Sequence, residues 1–195
     1  RSSAASDVYK RQEMLIKIVF QTRKAEEIVT SVRSYAKEQK LKKSPLSVNE
    51  VVTEAVKDFT STLQDYPLQI EFEEDPRSPI CSLAPLEFEL AVFNLLKNAK
   101  EALKAQKADE PKVFIKISSG ETHCFVDISD NGAVISESDF ERMGSVFKSG
   151  KASGLGIGLT IVRSIVQNHN GSLVLERGKN GGLVCRIRLP IFNAE

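Results

Sequence analysis

Three clusters of residues have types and spacings that could do chemistry. Residues 148–166, KSGKASGLGIGLTIVRSIV, place Lys148, Lys151 and the evenly spaced Gly154, Gly156 and Gly158 against a helical pattern. Closely spaced glycines let backbone N–H groups approach an anion, and the helix they open offers its positive N-terminus. Two familiar phosphate loops fail on counting. A P-loop needs four residues between its glycines and then Lys-Ser/Thr, whereas Gly144 and Gly150 enclose five and Ala152 follows Lys151. The dinucleotide fingerprint needs G-x-G-x-x-G directly after a strand; here the run is G-x-G-x-G behind a polar loop.

The second cluster is Asn94, Asn98 and Glu101, spaced four and three on one helix face, opposite an apolar stripe of Phe88, Val92, Leu95, Ala99 and Leu103. Asparagine is a poor helix former, so two of them here read either as oxygen ligands for Mg²⁺ or phosphate contacts, or as a solvated face. The third is VDISDNG, in which Asp130 ends an alternating strand and Asn131 and Gly132 permit a positive-φ turn. Taken singly it is a turn; in combination, a carboxylate at a strand's mouth can accept a hydrogen bond from an exocyclic amine such as that of adenine.

The elements that must position these residues can be read in order. Residues 1–12, RSSAASDVYKRQ, lack periodicity and read as non-native cloning read-through or disorder. From Glu13 to about Gln39, Met14, Ile18, Ala25, Ile28, Val32 and Tyr35 form a heptad seam with Gln21 inside it. Such a helix either pairs in a hairpin or dimeric four-helix bundle or packs on its own domain. LKKSPLSVNE reads as a linker and short strand, and Ser47 and Glu50 in it make a capping box for a helix through about Thr62. Strands are predicted at 67–73, 112–118, 123–129, 171–177 and 183–190, and helices at 85–106 and 156–168. GKNGG suits a hairpin turn. The sum is a long helix followed by an α/β domain with a mixed, largely antiparallel sheet covered by helices on one face.

Bulk composition narrows the partners. Twenty-seven basic against twenty-six acidic residues, a net +1, leave no electrostatic footprint for nucleic acid or an anionic membrane, and 41% hydrophobic content can bury a core. Three dispersed cysteines suggest neither a disulfide framework nor a zinc site, which fits a reducing cytoplasm. No run reaches membrane-span length, so any membrane anchor is expected upstream.

In order and spacing, NLLKNA (94–99), DISDNG, FKSGKASGLGIGLTIVRSIVQNHNG and GGLVCRIRLP resemble the nucleotide-binding elements of sensor histidine kinases in the GHKL ATPase superfamily. KAEEIVTSVRSYAKEQ resembles the second helix of their dimerisation and phosphotransfer hairpin. The resemblance implies an α+β fold: a two-layer α/β sandwich over residues 43–195, preceded by one long bundle-forming helix over 13–42. It implies that the protein uses ATP and Mg²⁺, with Asn98 on the metal, Asn94 at the phosphates, Asp130 on the adenine amine and Gly132 shaping the pocket floor. Phe147, Lys148 and Lys151 would belong to a mobile lid, with Lys151 near the γ-phosphate, and Gly154, Gly156, Gly158 and Leu159 would line the nucleotide. A homodimer through the N-terminal helix and a response regulator partner are implied in the same way.

Two departures shape the expectation. Val134 stands where the family has a second glycine, and a β-branched residue tolerates positive φ poorly, so the backbone there must differ or nucleotide binding weakens. The chain's two histidines, His123 and His169, read as structural or exposed, so a phosphoacceptor histidine is expected on a segment missing from this chain, which alone would bind ATP without phosphorylating itself. A gyrase-like hydrolase needs a glutamate base four residues before the magnesium asparagine, where Asn94 stands. An anti-sigma-type serine kinase and a non-catalytic GHKL regulatory module remain the alternatives.

Overall fold

The structure is a computed structural model that describes residues 42–63, 66–141 and 156–193. The chain divides into two compact units, Arg1–Leu41 and Lys42–Glu195, and the described residues all belong to the second. The heptad seam, Phe147, Lys148, Lys151 and Gly154 lie outside them.

Among the described residues, seven strands and three long helices make up this unit. They are β1 (Ser44–Ser47), α1 (Val48–Ser61), β2 (Gln69–Glu73), β3 (Ile80–Leu83), α2 (Pro85–Ala105), β4 (Lys112–Ser119), β5 (His123–Asp130), α3 (Gly156–Asn168), β6 (Ser172–Arg177) and β7 (Leu183–Pro190). Five strands form one sheet in the order β2-β4-β5-β7-β6, antiparallel except for the β2–β4 pair, while β1 and β3 pair separately. The mixed, mainly antiparallel sheet is as expected. Of the two-stranded sheet only β1 is as expected: β3, Ile80–Leu83, alternates exposed and buried over only four residues after a Pro-punctuated loop, too short a run for a period-two pattern to register.

One face of the sheet is dry. Val113, Ile115 and Ile117 of β4, Cys124, Val126 and Ile128 of β5, and Cys185, Ile187 and Leu189 of β7 are all buried, and they pack with Phe59, Phe88, Leu95, Leu96, Leu103, Val162 and Val166 from the helices. The other face carries cross-strand ion pairs at register positions. Lys116 meets Glu73 at 2.6 Å, and Arg186 grips Asp127 with two 2.8 Å bonds. That division is why each strand alternates.

Local chemistry sets the helix ends. Ser47 caps α1, its Oγ accepting from the Glu50 amide at 3.4 Å. α2 opens on Pro85, whose missing N–H costs nothing there. Both α2 and α3 close with a left-handed residue, Lys107 (φ 53) and Asn170 (φ 58). The following amides reach back to Leu103 O at 3.2 Å and Val166 O at 2.9 Å, which satisfies the last carbonyls.

His169 ties these two helices together. Its Nε2 accepts the Ala84 amide at 3.0 Å while Nδ1 lies 2.7 Å from Ile165 O, so the ring is neutral with its proton on Nδ1. Burial lowers its pKa from the ordinary 6.5. A depressed folded pKa contributes stability that is present above the unfolded value and lost as pH falls through the folded one. Melting temperature should therefore fall as pH drops below about 6.5, and His169→Gln should remove that component of the pH dependence; thermal melts across the range check it.

Candidate functional site

α2 is the rail on which the site is built. Its apolar stripe is buried as predicted, so the opposite positions face away from the core. Asn94 and Asn98 are half-buried and Glu101 is exposed, beside Lys97 at 4.0 Å. Asn94 Nδ2 donates to Leu90 O at 2.8 Å, which turns its oxygen outward as an acceptor. Asn98 Nδ2 is buried without a hydrogen-bond partner among the described residues. A buried amide left short of a partner is uncommon and marks a place where polar atoms belong.

Gly158, in the first turn of α3, approaches this pair. A Cβ placed there would lie 3.2 Å from Asn98 Oδ1 and 3.6 Å from Asn94 Oδ1. The helix start and the two amide oxygens thus share one surface, and the last glycine of the loop leaves it open. Leu159, by contrast, is buried in the core, where it anchors α3. Gly158→Ala should push Asn98 aside by a few tenths of an ångström. Expected is nucleotide affinity weakened by roughly tenfold with a nearly unchanged melting temperature, read by calorimetry alongside a thermal melt.

At the other end of α2, the C-cap residue Gln106 holds the Asp130 loop: its Oε1 accepts the Ala133 amide at 2.7 Å. Asp130 ends β5 with one carboxylate oxygen accepting from Gly132 N at 2.9 Å and the other from Leu183 N at 3.2 Å. Burial raises its pKa above the ordinary carboxylate value, outweighing the two amide bonds that lower it. Each oxygen keeps a free lone pair for an incoming N–H donor.

The expected positive-φ turn is absent. Asn131, Gly132 and Val134 are not among the described residues with positive φ. Gly132 is needed for space instead, because a Cβ would meet Asp130 Oδ1 and Gln106 Oε1 at 2.7 Å. Val134 is 79% exposed and its backbone carries no left-handed strain, so it does not fill the site. The left-handed turn lies across the sheet, at Gly181 (φ 109) and Gly182 (φ 71) in the β6–β7 hairpin. Gly182 N donates to Ala133 O at 3.0 Å, and the hairpin packs directly on the Asp130 backbone. Sequence reasoning read GKNGG as a turn and missed its contact with the site, and it missed Gln106 altogether. The only signal available was a polar residue at the expected end of α2.

Asn98 and Gln106 are eight residues apart, which on a helix is roughly 12 Å. That separates an amide-lined end suited to phosphate oxygens from a carboxylate end suited to an exocyclic amine. As for magnesium, no group of three His, Cys, Asp or Glu able to hold a metal occurs among the described residues. Two amide oxygens fit the ion as Mg²⁺ is usually held, by one or two protein oxygens, waters and the substrate's own phosphates, and the orphaned Asn98 Nδ2 is a donor suited to a phosphate oxygen.

Residues 84–193 match the family described as histidine kinase-, DNA gyrase B- and HSP90-like ATPases, and the chain belongs to that family. Among curated relatives, the sensor protein TdiS of Thauera aromatica is 26% identical over 169 residues, covering 86% of this chain and 31% of TdiS. The sensor protein FixL of Bradyrhizobium diazoefficiens is 25% identical over 170 residues, 87% of this chain and 34% of FixL. The chain thus spans about a third of the length of these relatives. Among solved structures, the catalytic domain of the histidine kinase ThkA superposes with a TM-score of 0.65 at 23% identity, covering 76% of this chain and 97% of that domain. ThkA in complex with the response regulator protein TrrA gives 0.72 at 24% identity, covering 90% of this chain and 49% of ThkA. These likenesses show the fold: the two-layer α/β sandwich of this ATPase family.

Proposed function

We propose that this chain is the ATP-binding catalytic region of a two-component sensor histidine kinase, holding Mg²⁺-ATP and donating its γ-phosphoryl group to a histidine on another segment. The observation that carries the proposal is the paired geometry of α2: Asn94 and Asn98 meet Gly158 at one end, and Gln106 holds the Asp130 loop at the other. Asp130 would accept the adenine amine, and Gly132 would leave room for the ring. Asn98, with Asn94 beside it, would hold Mg²⁺, which supplies charge neutralisation at the phosphates. Lys151 would approach the γ-phosphate from a lid that includes Phe147, Gly154 and Gly156. Transfer would then rest on positioning and electrostatics.

The amide at Asn94 favours transfer to a protein over hydrolysis, since an amide cannot take a proton from water as a carboxylate base would. His169 is buried with both ring nitrogens engaged, and His123 is tied to Thr122 Oγ1 at 2.7 Å on β5, which supports an acceptor histidine elsewhere. A response regulator as downstream partner, a homodimer through the 13–42 helix and a cytoplasmic location belong to the same reading. No helix among the described residues is long and apolar enough to cross a membrane.

Calorimetry with a non-hydrolysable ATP analogue tests it. Binding should strengthen by about tenfold with Mg²⁺, and Asn98→Ala should erase the difference. No binding under either condition would replace the kinase reading with that of a non-catalytic regulatory module.

A further inference from the structure

A second cleft lies between the first turns of α1 and the loop joining β2 to β3. It encloses about 550 Å³, and its lining includes Asn49, Glu50, Thr53, Glu54, Glu74 and Asp75. Four of these are carboxylates in a chain whose net charge is only +1. Asp75 is already engaged. Although burial pushes its carboxyl up, hydrogen bonds from Arg77 and from Ser119 Oγ (2.5 Å) hold it down at about 2. Lys57 also lines the cleft and pairs with Glu54 at 2.6 Å.

Asn49 supplies an independent observation. It is 8% exposed, its Nδ2 donates to Asp75 O at 2.8 Å, and its Oδ1 is buried without a hydrogen-bond partner. An unmet buried acceptor calls for a donor. Thr53 Oγ1 bonds Asn49 O at 2.8 Å and Glu74 Oε1 at 3.1 Å, which orients Glu74 beside it. The acidity continues beyond the cleft: Glu50, Glu54 and Asp58 repeat every four residues along α1. Glu54 and Asp58, with burial as the larger cause, push the Glu89 carboxyl up. Only Glu50 is explained by the positive end of the helix, and like charges four apart oppose helix formation.

No three acidic, His or Cys side chains among the described residues are grouped to hold a metal. Separated acceptors, one a neutral amide oxygen and others carboxylates, match the five forked N–H donors of a guanidinium better than a compact ammonium. We infer that this cleft receives an arginine side chain from a basic segment of a partner protein. Asn49 Oδ1 and Glu74 are the acceptors, and the Glu50–Glu54–Asp58 row guides the flanking basic residues.

The test is an NMR titration of the ¹⁵N-labelled chain with acetylated, amidated tetra-arginine, alongside tetra-lysine, spermine and CaCl₂. Expected are saturable shifts at the Asn49 side-chain amide and at residues 49–54 and 74–78, several-fold tighter for arginine than for lysine and weakened by added salt. The double variant E50Q/E74Q, both surface changes, should weaken binding by roughly fivefold while leaving ATP-analogue affinity unchanged. Shifts scattered over the whole acidic surface, equal affinity for tetra-lysine or spermine, saturation of the same resonances by Ca²⁺, or an unaffected double variant would each overturn the inference.

Discussion

Asp130→Asn should abolish most nucleotide binding while the protein stays folded. The carboxylate accepts from Gly132 N and Leu183 N and has a lone pair left on each oxygen for a ligand amine. Asparagine keeps one acceptor and turns an NH₂ toward the Leu183 amide, so both the charge and the second acceptor are lost. A hydrogen bond to a charged group contributes about 1.5–3 kcal/mol, which corresponds to roughly a 10- to 100-fold loss of affinity. Stability moves differently. Burial raises the folded pKa of Asp130, and a raised carboxyl pKa contributes stability that is present below the unfolded value and lost as pH rises through the folded one. At neutral pH the ionised group is therefore a cost to the fold, and its removal offsets the lost bond to Leu183. Calorimetry should show the affinity loss, with melting temperature changed by no more than about 4 °C. A large fall in melting temperature with affinity intact would assign Asp130 a structural role only.

Gly182→Ala has the largest expected effect on stability. Its φ of 71° already disfavours a side chain, and a Cβ would lie 2.0 Å from the Asp130 carbonyl oxygen and 2.7 Å from its Oδ1. Both atoms belong to Asp130, the last residue of β5, and Gly182 directly precedes β7, so neither side can yield without disturbing the ladder that begins at Ser129↔Val184. Left-handed strain of about 1–2 kcal/mol joins a backbone clash of similar or greater size, together on the order of 3 kcal/mol and roughly 6–12 °C in melting temperature for a domain of this length. Nucleotide binding should fall with it, because the same contact places Asp130. Gly158→Ala is the control: its Cβ meets flexible amide ends, so affinity falls and the fold holds.

These two sites separate what is local from what is not. Asn94 and Asn98 are one helical turn apart, and the buried stripe opposite them confirms which face they occupy; 3.6-residue periodicity alone is sufficient for that. Ser47 as cap and the glycines of the β6–β7 turn were likewise legible, because their causes act within a few residues. The β2–β4 pair was less so. A parallel pairing joins segments separated by α2, and no short-range pattern specifies which strand is the neighbour.

The sequence by itself determined the elements apart from β3, the amphipathic faces, the polar residues on them and, through motif order, the ATPase family. Only the tertiary structure decided that Leu183, fifty-three residues away, shares the Asp130 carboxylate. It also decided that Gln106 clamps the loop, that Gly132 serves space rather than turn geometry, and that Val134 stands in solvent. The physical reason is range: helix periodicity, capping and turn strain are set by neighbours along the chain. Burial of a charge and the fit of a Cβ are set by whichever backbone the fold brings alongside.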